Sequence, residues 1–247
     1  MAVCHLEFGS VSLGMRTRVN VILPDYPNDP KVLLLLHGLG DDENSWLEQS
    51  RLISYSTNRQ LCILMPRVDR SYYTNTMSQV NYFDYVADEL LKRCCCWFGI
   101  TPTRSKTFVG GISMGGYGAL KLALNRPNIF SESFVLSGVT DLGKQWDNNL
   151  ERNPWYSALF GSRQQFEKSN SDLHFITTHW SKNVDRPRIR QICGQADPFY
   201  SMNVEYQKIA VSNGFDAHLK TVPGGHQWNV WDSAIQTVLE SIDAEIK

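Results

Sequence analysis

Two short runs early in the chain, VLLLL at 32–36 and LCILM at 61–65, contain only apolar residues. A strand with one face in water alternates apolar and polar residues. A run without that alternation belongs to a strand covered on both faces, as in a parallel sheet between layers of helix. Further runs at 18–23, 107–109, 134–137, 189–193 and 217–222 also read as strands. Helical spacing marks 84–98, 117–124, 202–212 and 228–246, and in the second of these Tyr117, Leu120 and Leu124 share one face. Strand and helix alternate from about residue 30 onward. The expected fold is therefore α/β, with a mostly parallel central sheet, helices on both faces and right-handed crossovers. In such sheets the chemistry sits in loops beyond the carboxyl ends of the strands.

One connection breaks this rhythm. Residues 141–187 hold Trp146, Trp155, Tyr156, Phe160, Phe166, Phe175 and Trp180 among many polar residues, with no clear strand. A stretch of that length inside a compact domain has its own helices or a function. It is read as a small cap inserted into a single domain spanning 1–247.

The formal net charge is −1, from 24 basic and 25 acidic residues without long runs of either. That balance gives no electrostatic footprint for nucleic acid or an anionic membrane, and favours a small-molecule partner. The N-terminus has no basic segment followed by an apolar one, and VLLLL is far too short to cross a bilayer, so a soluble, cytoplasmic protein is expected. Of the six cysteines, Cys94, Cys95 and Cys96 are consecutive and no C-x-x-C occurs. Reduced thiols are the expectation. Cys94 falls on the apolar stripe of Phe83, Val86, Leu90, Leu91 and Phe98, where a thiol packs as a small apolar group. His174 and His179 lie five apart and no H-E-x-x-H is present, so neither a metal nor another cofactor is expected.

The stretch GGISMGGYG at 110–118 sets one serine among five glycines. Gly111-Ile112-Ser113-Met114-Gly115 fits G-x-S-x-G and stands between a strand and a helix, the context in which that motif forms a sharp turn with the serine at its tip. A serine hydroxyl needs a histidine base, and the histidine needs a carboxylate to hold its tautomer. In this fold the chain order is Ser, acid, His. His226 follows the last strand through Pro223-Gly224-Gly225. Asp197 follows the 189–193 strand, with Asp141, after the 134–137 strand, as the second choice. The oxyanion formed during attack needs two backbone donors. One is assigned to the N–H of Met114 and the other to Leu39, with Gly40 as the alternative, in the loop His37-Gly38-Leu39-Gly40. His37 is read as a brace for that loop. Trp46, Tyr72, Tyr73, Trp180 and Trp228 stand as candidate substrate contacts.

LLHGLGDDENSW (35–46), GISMGGYGALKLAL (111–124), CGQADPFY (193–200) and GGHQWNVWD (224–232), taken together, resemble the bacterial tributyrin esterase family. That family lies within the esterase D group of α/β-hydrolases, which includes S-formylglutathione hydrolases and is similar to feruloyl and acetylxylan esterases and mycolyltransferases. The resemblance runs over nearly the whole chain and puts the nucleophile at Ser113, the acid at Asp197 and the base at His226. It implies an α/β-hydrolase fold, hydrolysis of short-chain acyl esters through an acyl-enzyme, and a homo-oligomer. Formylglutathione hydrolases usually carry a Ser-Gly-Leu-Thr-Cys type of stretch where this chain has His37-Gly38-Leu39-Gly40-Asp41, which disfavours the thioesterase alternative. Feruloyl or acetyl ester hydrolysis is a further alternative, and a silent binding scaffold a remote one.

Overall fold

The computed structural model describes residues 1–181 and 183–244. Eight strands form one sheet: β1 (Ala2–Ser10), β2 (Met15–Leu23), β3 (Lys31–Leu36), β4 (Leu61–Pro66), β5 (Thr107–Ile112), β6 (Glu132–Leu136), β7 (Arg188–Gly194) and β8 (Ala217–Val222). Their order is β1-β2-β4-β3-β5-β6-β7-β8. β1 and β2 form an antiparallel hairpin, and β2 meets β4 antiparallel. The other pairings are parallel. The strand order reverses at β3, so the loops after β3 and β5 open side by side at the carboxyl edge.

The two apolar runs explain the layers. Val32, Leu34 and Leu36 of β3, with Cys62 and Leu64 of β4, enter one core, while Leu33, Leu35, Leu61, Ile63 and Met65 enter the other. Every one of these side chains is at most 2% exposed. At roughly 1.5–3 kcal/mol for each fully buried aliphatic side chain, a polar residue at any of these positions has no wet face to turn to. The first core is closed by helices Met114–Asn125 and Tyr200–Ser212 and by the segment 82–97. The second is closed by Ser45–Gln49, Leu52–Tyr55 and Trp228–Ala244. The last helix is fastened to the Leu52–Tyr55 helix by Asp232, which accepts from the backbone and guanidinium of Arg51 and from the Tyr55 hydroxyl.

Three local expectations change. β1 lies outside the predicted strands; its apolar side chains Cys4, Leu6 and Phe8 are only half-buried, on the outermost edge of the sheet. The helix expected at 84–98 contains a π-helical stretch, Tyr85–Leu90, between α-helical Tyr82–Asp84 and Leu91–Trp97. The last helix is seen as Trp228–Ala244; the remainder of the expected 228–246 span lies outside the described residues.

All six cysteines are free. Cys94 and Cys95 are buried, and burial pushes their thiols up to about 12 and about 11, whereas Cys96 is exposed. Between β6 and β7 the described residues form the short α-helices Leu142–Asp147, Asn153–Phe160, Arg163–Phe166 and Leu173–Thr178, with a 3-10 turn at Leu150–Arg152. No helix among the described residues is long and apolar enough to cross a membrane.

Candidate active site

β5 ends at Ile112 and the next helix begins at Met114, so Ser113 alone makes the turn, at φ 54° and ψ −114°. This left-handed backbone is strained for a residue with a Cβ and holds only where its surroundings enforce it. The enforcement comes from close approach on both sides. A Cβ on Gly111 would lie 2.6 Å from the backbone of Gly115, and one on Gly115 would lie 2.5 Å from the Leu36 carbonyl oxygen. The Ser113 N–H donates to the Leu136 carbonyl of β6 at 2.9 Å, and its own carbonyl accepts from Tyr117 and Val139. The serine is thereby locked at the tip, 9% exposed.

Asp197 and His226 arrive together. The loops after β7 and β8 are laced by Gln195 N–H to the Val222 carbonyl (2.8 Å) and Ala196 N–H to the Gly224 carbonyl (2.9 Å). His226 Nδ1 lies 2.9 Å from Asp197 Oδ2, and Nε2 lies 3.0 Å from Ser113 Oγ. The Asp197 side chain is wholly buried, and its other oxygen accepts from the Phe199 N–H at 2.8 Å. Burial works to raise this carboxyl. Hydrogen bonds from His226, Phe199 and Ser137, with the charge on His226, more than offset it and hold the group below the ordinary aspartate range. An ionised Asp197 fixes the Nδ1–H tautomer, leaving Nε2 free to take the serine proton. The imidazole is gripped edge-to-face by Phe199 (5.0 Å between ring centroids) and Trp231 (4.8 Å).

The loop after β3 is held by side chains. His37, 1% exposed, accepts the Val68 N–H on Nε2 (3.1 Å), so its Nδ1–H donates to the Gly38 carbonyl (2.8 Å). Burial is the main cause lowering its pKa, which keeps the ring neutral. The Tyr73 hydroxyl donates to the His37 carbonyl (2.9 Å) and the Trp46 indole to the Leu36 carbonyl (3.1 Å). Past these braces Leu39 is half-buried and Gly40 is exposed at φ 90°. Met114 opens the helix that follows the serine, where the first N–H groups lack helical partners.

The five candidate substrate contacts separate. Trp46 and Tyr73, at 1% and 0% exposure, are corrected to loop braces: their polar atoms are committed to backbone and their rings to the core. Trp180 is corrected as well. It packs on Phe215 and borders a hollow with Leu124 and Asn125, at the far end of the helix that starts at Met114, roughly 15 Å away along its axis. Tyr72 is buried in an aromatic cluster with Tyr117, Trp155, Tyr156 and Phe160. Trp228 stays half-exposed against Trp46 and Trp231, two residues beyond the histidine. Asp141, the second choice for the acid, caps its own helix by accepting from the Lys144 N–H. Sequence reasoning missed Phe199, Trp231 and Ser137. Trp231 had one available signal, its position one turn after Trp228 on a helix that begins beside His226.

This architecture and hydrogen-bonded trio define a class: the protein is a serine hydrolase of the α/β-hydrolase type. Residues 10–242 match the model of the Esterase family, described as "Putative esterase", and the chain belongs to that family as a carboxylic ester hydrolase. Among its relatives is an acetyl esterase of Caldicellulosiruptor saccharolyticus, 27% identical, with 97% of each chain covered. Two solved structures from Staphylococcus aureus are also 27% identical, with 98% of each chain covered. They are the fluorophosphonate-binding serine hydrolase FphF with substrate bound (TM-score 0.88) and the S-formylglutathione hydrolase FrmB as apoenzyme (TM-score 0.86).

Proposed function

We propose that the protein hydrolyses short-chain acyl esters of the tributyrin type through an acyl-enzyme, with Ser113 as nucleophile, His226 as base and Asp197 as its acid partner. The observation that carries this is the continuous chain of hydrogen bonds from Asp197 through His226 to a serine in a strained, glycine-enforced turn. Ser113 Oγ attacks the ester carbonyl while His226 Nε2 takes its proton. The oxyanion is received by the N–H groups of Met114 and Leu39. Protonated His226 then gives its proton to the departing alcohol, and water repeats the cycle on the acyl-enzyme.

Short acyl groups are favoured by the likeness to an acetyl esterase and by the rings packed beside the nucleophile helix, where Tyr72 stands edge-on to Tyr117 at 5.4 Å. In this reading 1–247 is one domain with 141–187 as its cap. Hydrolysis of p-nitrophenyl esters of increasing acyl length, by native protein beside Ser113→Ala, tests the reading. A short-chain preference that vanishes in the variant supports it, and equal rates in the two proteins overturn it.

The likeness to FrmB favours a second reading, thioester hydrolysis of S-formylglutathione. Against it, the loop after β3 reads His37-Gly38-Leu39-Gly40-Asp41 where formylglutathione hydrolases usually carry a Ser-Gly-Leu-Thr-Cys type of stretch. Relative kcat/KM on S-formylglutathione and p-nitrophenyl acetate separates the two.

A further inference from the structure

Between the strands that lead to Ser113 and Asp197, β6 ends in a second strained residue. Ser137 sits at φ 50° and is 0% exposed, and its N–H is bound to the Ile192 carbonyl of β7 at 2.9 Å. Its hydroxyl accepts from the indole N–H of Trp231 at 3.1 Å. An indole N–H only donates, so this bond leaves the serine hydrogen to point elsewhere. The acceptors beside it are the Asp197 carboxylate and the Cys193 thiol. Burial pushes that thiol up to about 12, so it stays neutral, and a carboxylate is much the stronger acceptor. The same Trp231 presses edge-to-face on the His226 ring.

We infer that Ser137 and Trp231 are positioning residues for the acid–base pair: Trp231 sets the Ser137 hydroxyl so that it donates to Asp197, and its ring fixes the plane of His226. This rests on the proposed roles of Ser113, Asp197 and His226. The buried carboxylate then has protein donors on several sides, from His226, Phe199 and Ser137, and keeps both its ionisation and its direction without water. A carboxylate that loses one of these donors carries more of its charge toward the imidazole. The titratable groups facing Asp197 are His226 and Cys193; the end of β6 and the last helix present the neutral Ser137 and Trp231.

The test compares native protein with Ser137→Ala and Trp231→Phe, using Ser133→Ala as control. Ser133 is buried on the same strand and its hydroxyl has no hydrogen-bond partner among the described residues. Steady-state kinetics on p-nitrophenyl acetate are followed across pH, and the downfield Nδ1 proton of His226 is followed by NMR. Ser137→Ala is expected to lower kcat roughly tenfold, leave KM nearly unchanged, move the acid limb of the pH profile upward and shift the NMR line. Trp231→Phe, which keeps a ring on His226 but loses the N–H, should do the same to a smaller extent, and Ser133→Ala should do neither. If Ser137→Ala fails to fold, Ser137→Cys, isosteric but a weak donor, takes its place with a partial shift expected. A loss equal at every pH with an unmoved NMR line, or native behaviour in both variants, overturns the inference. Ser113→Ala is assayed alongside: full activity there sinks the underlying assignment, whereas an inert Ser113→Ala beside an unshifted Ser137→Ala sinks the positioning role alone.

Discussion

The loops at the carboxyl edge of β3, β5, β7 and β8 and the helical segment between β6 and β7 are both built around the nucleophile helix, yet they are held by different forces. The edge loops are fixed by backbone hydrogen bonds and by backbone-to-backbone contact at Gly111 and Gly115, with polar side chains spent on main-chain partners. The segment between β6 and β7 is held by rings: Trp146 and Trp155 each stack on Tyr156, at 5.1 and 4.9 Å, and Phe160 meets Phe166 edge-on. Backbone bonds fix directions to tenths of an ångström. Ring packing fixes volume and tolerates exchange of shape. The first region suits a reaction whose atoms must align, and the second suits packing whose shape can drift.

The contrast can be broken most severely at its centre. Ser113→Ala is expected to lower kcat by at least about 10³-fold while leaving thermal unfolding within a few degrees of native. Native-like turnover would move the nucleophile elsewhere. Next is Gly115→Ala, whose added methyl meets the carbonyls of Leu36 and His37 rather than any movable side chain. It should destabilise the fold by about 2–4 kcal/mol and reduce fluorophosphonate labelling of Ser113; denaturant unfolding and labelling rates together check this.

The third change lies where the two regions meet. Lys121, on the nucleophile helix, is fully buried, its Nζ lacks a hydrogen-bond partner among the described residues, and it lies 5.5–5.9 Å from the rings of Phe83, Tyr117 and Phe160. Burial drives its pKa well down, against the weaker pull of Asp84. The unfolded chain thus binds the proton more tightly than the native one, and native stability should rise with pH up to the ordinary lysine range. Lys121→Met should add about 1–3 kcal/mol at neutral pH and flatten that rise. A loss of stability would instead mean that the three rings hold a charged ammonium. The mildest change is Trp155→Ala, which removes a half-exposed ring touching Tyr72 and Tyr156. Acyl-length preference should move a few-fold toward longer chains, about 1 kcal/mol of discrimination, with kcat on acetyl esters nearly kept.

What the sequence could disclose follows the same division. The turn at Ser113 and the order Ser113, Asp197, His226 were legible because each depends on local chemistry: glycines that permit close approach, and acids and bases just past apolar runs. The doubly covered strands were legible in VLLLL and LCILM for the same reason. The rings were not. Trp46, Tyr73 and Trp180 have equal claims as a list of aromatics near loops, and only tertiary contact sends the first two under the loop after β3 and the third to the far end of a helix. Ser137 was invisible too, since an ordinary serine at the end of a strand gives no hint that a tryptophan 94 residues later donates to it. β1 was missed because its alternation of half-buried residues gives a weaker signal than a fully apolar run.

The lacing of the β7 and β8 loops has a consequence for the order in which the molecule comes to life. Ser113, the proposed nucleophile, is complete within a contiguous stretch of strand and helix near the middle of the chain, but His226, the proposed base, stands 113 residues later. Its imidazole is oriented by Trp231, on a helix that must first close over β3 and β4 and fasten to Arg51. On the proposed roles, the serine emerges early in synthesis without its base, and hydrolysis is expected only once the final helix seats.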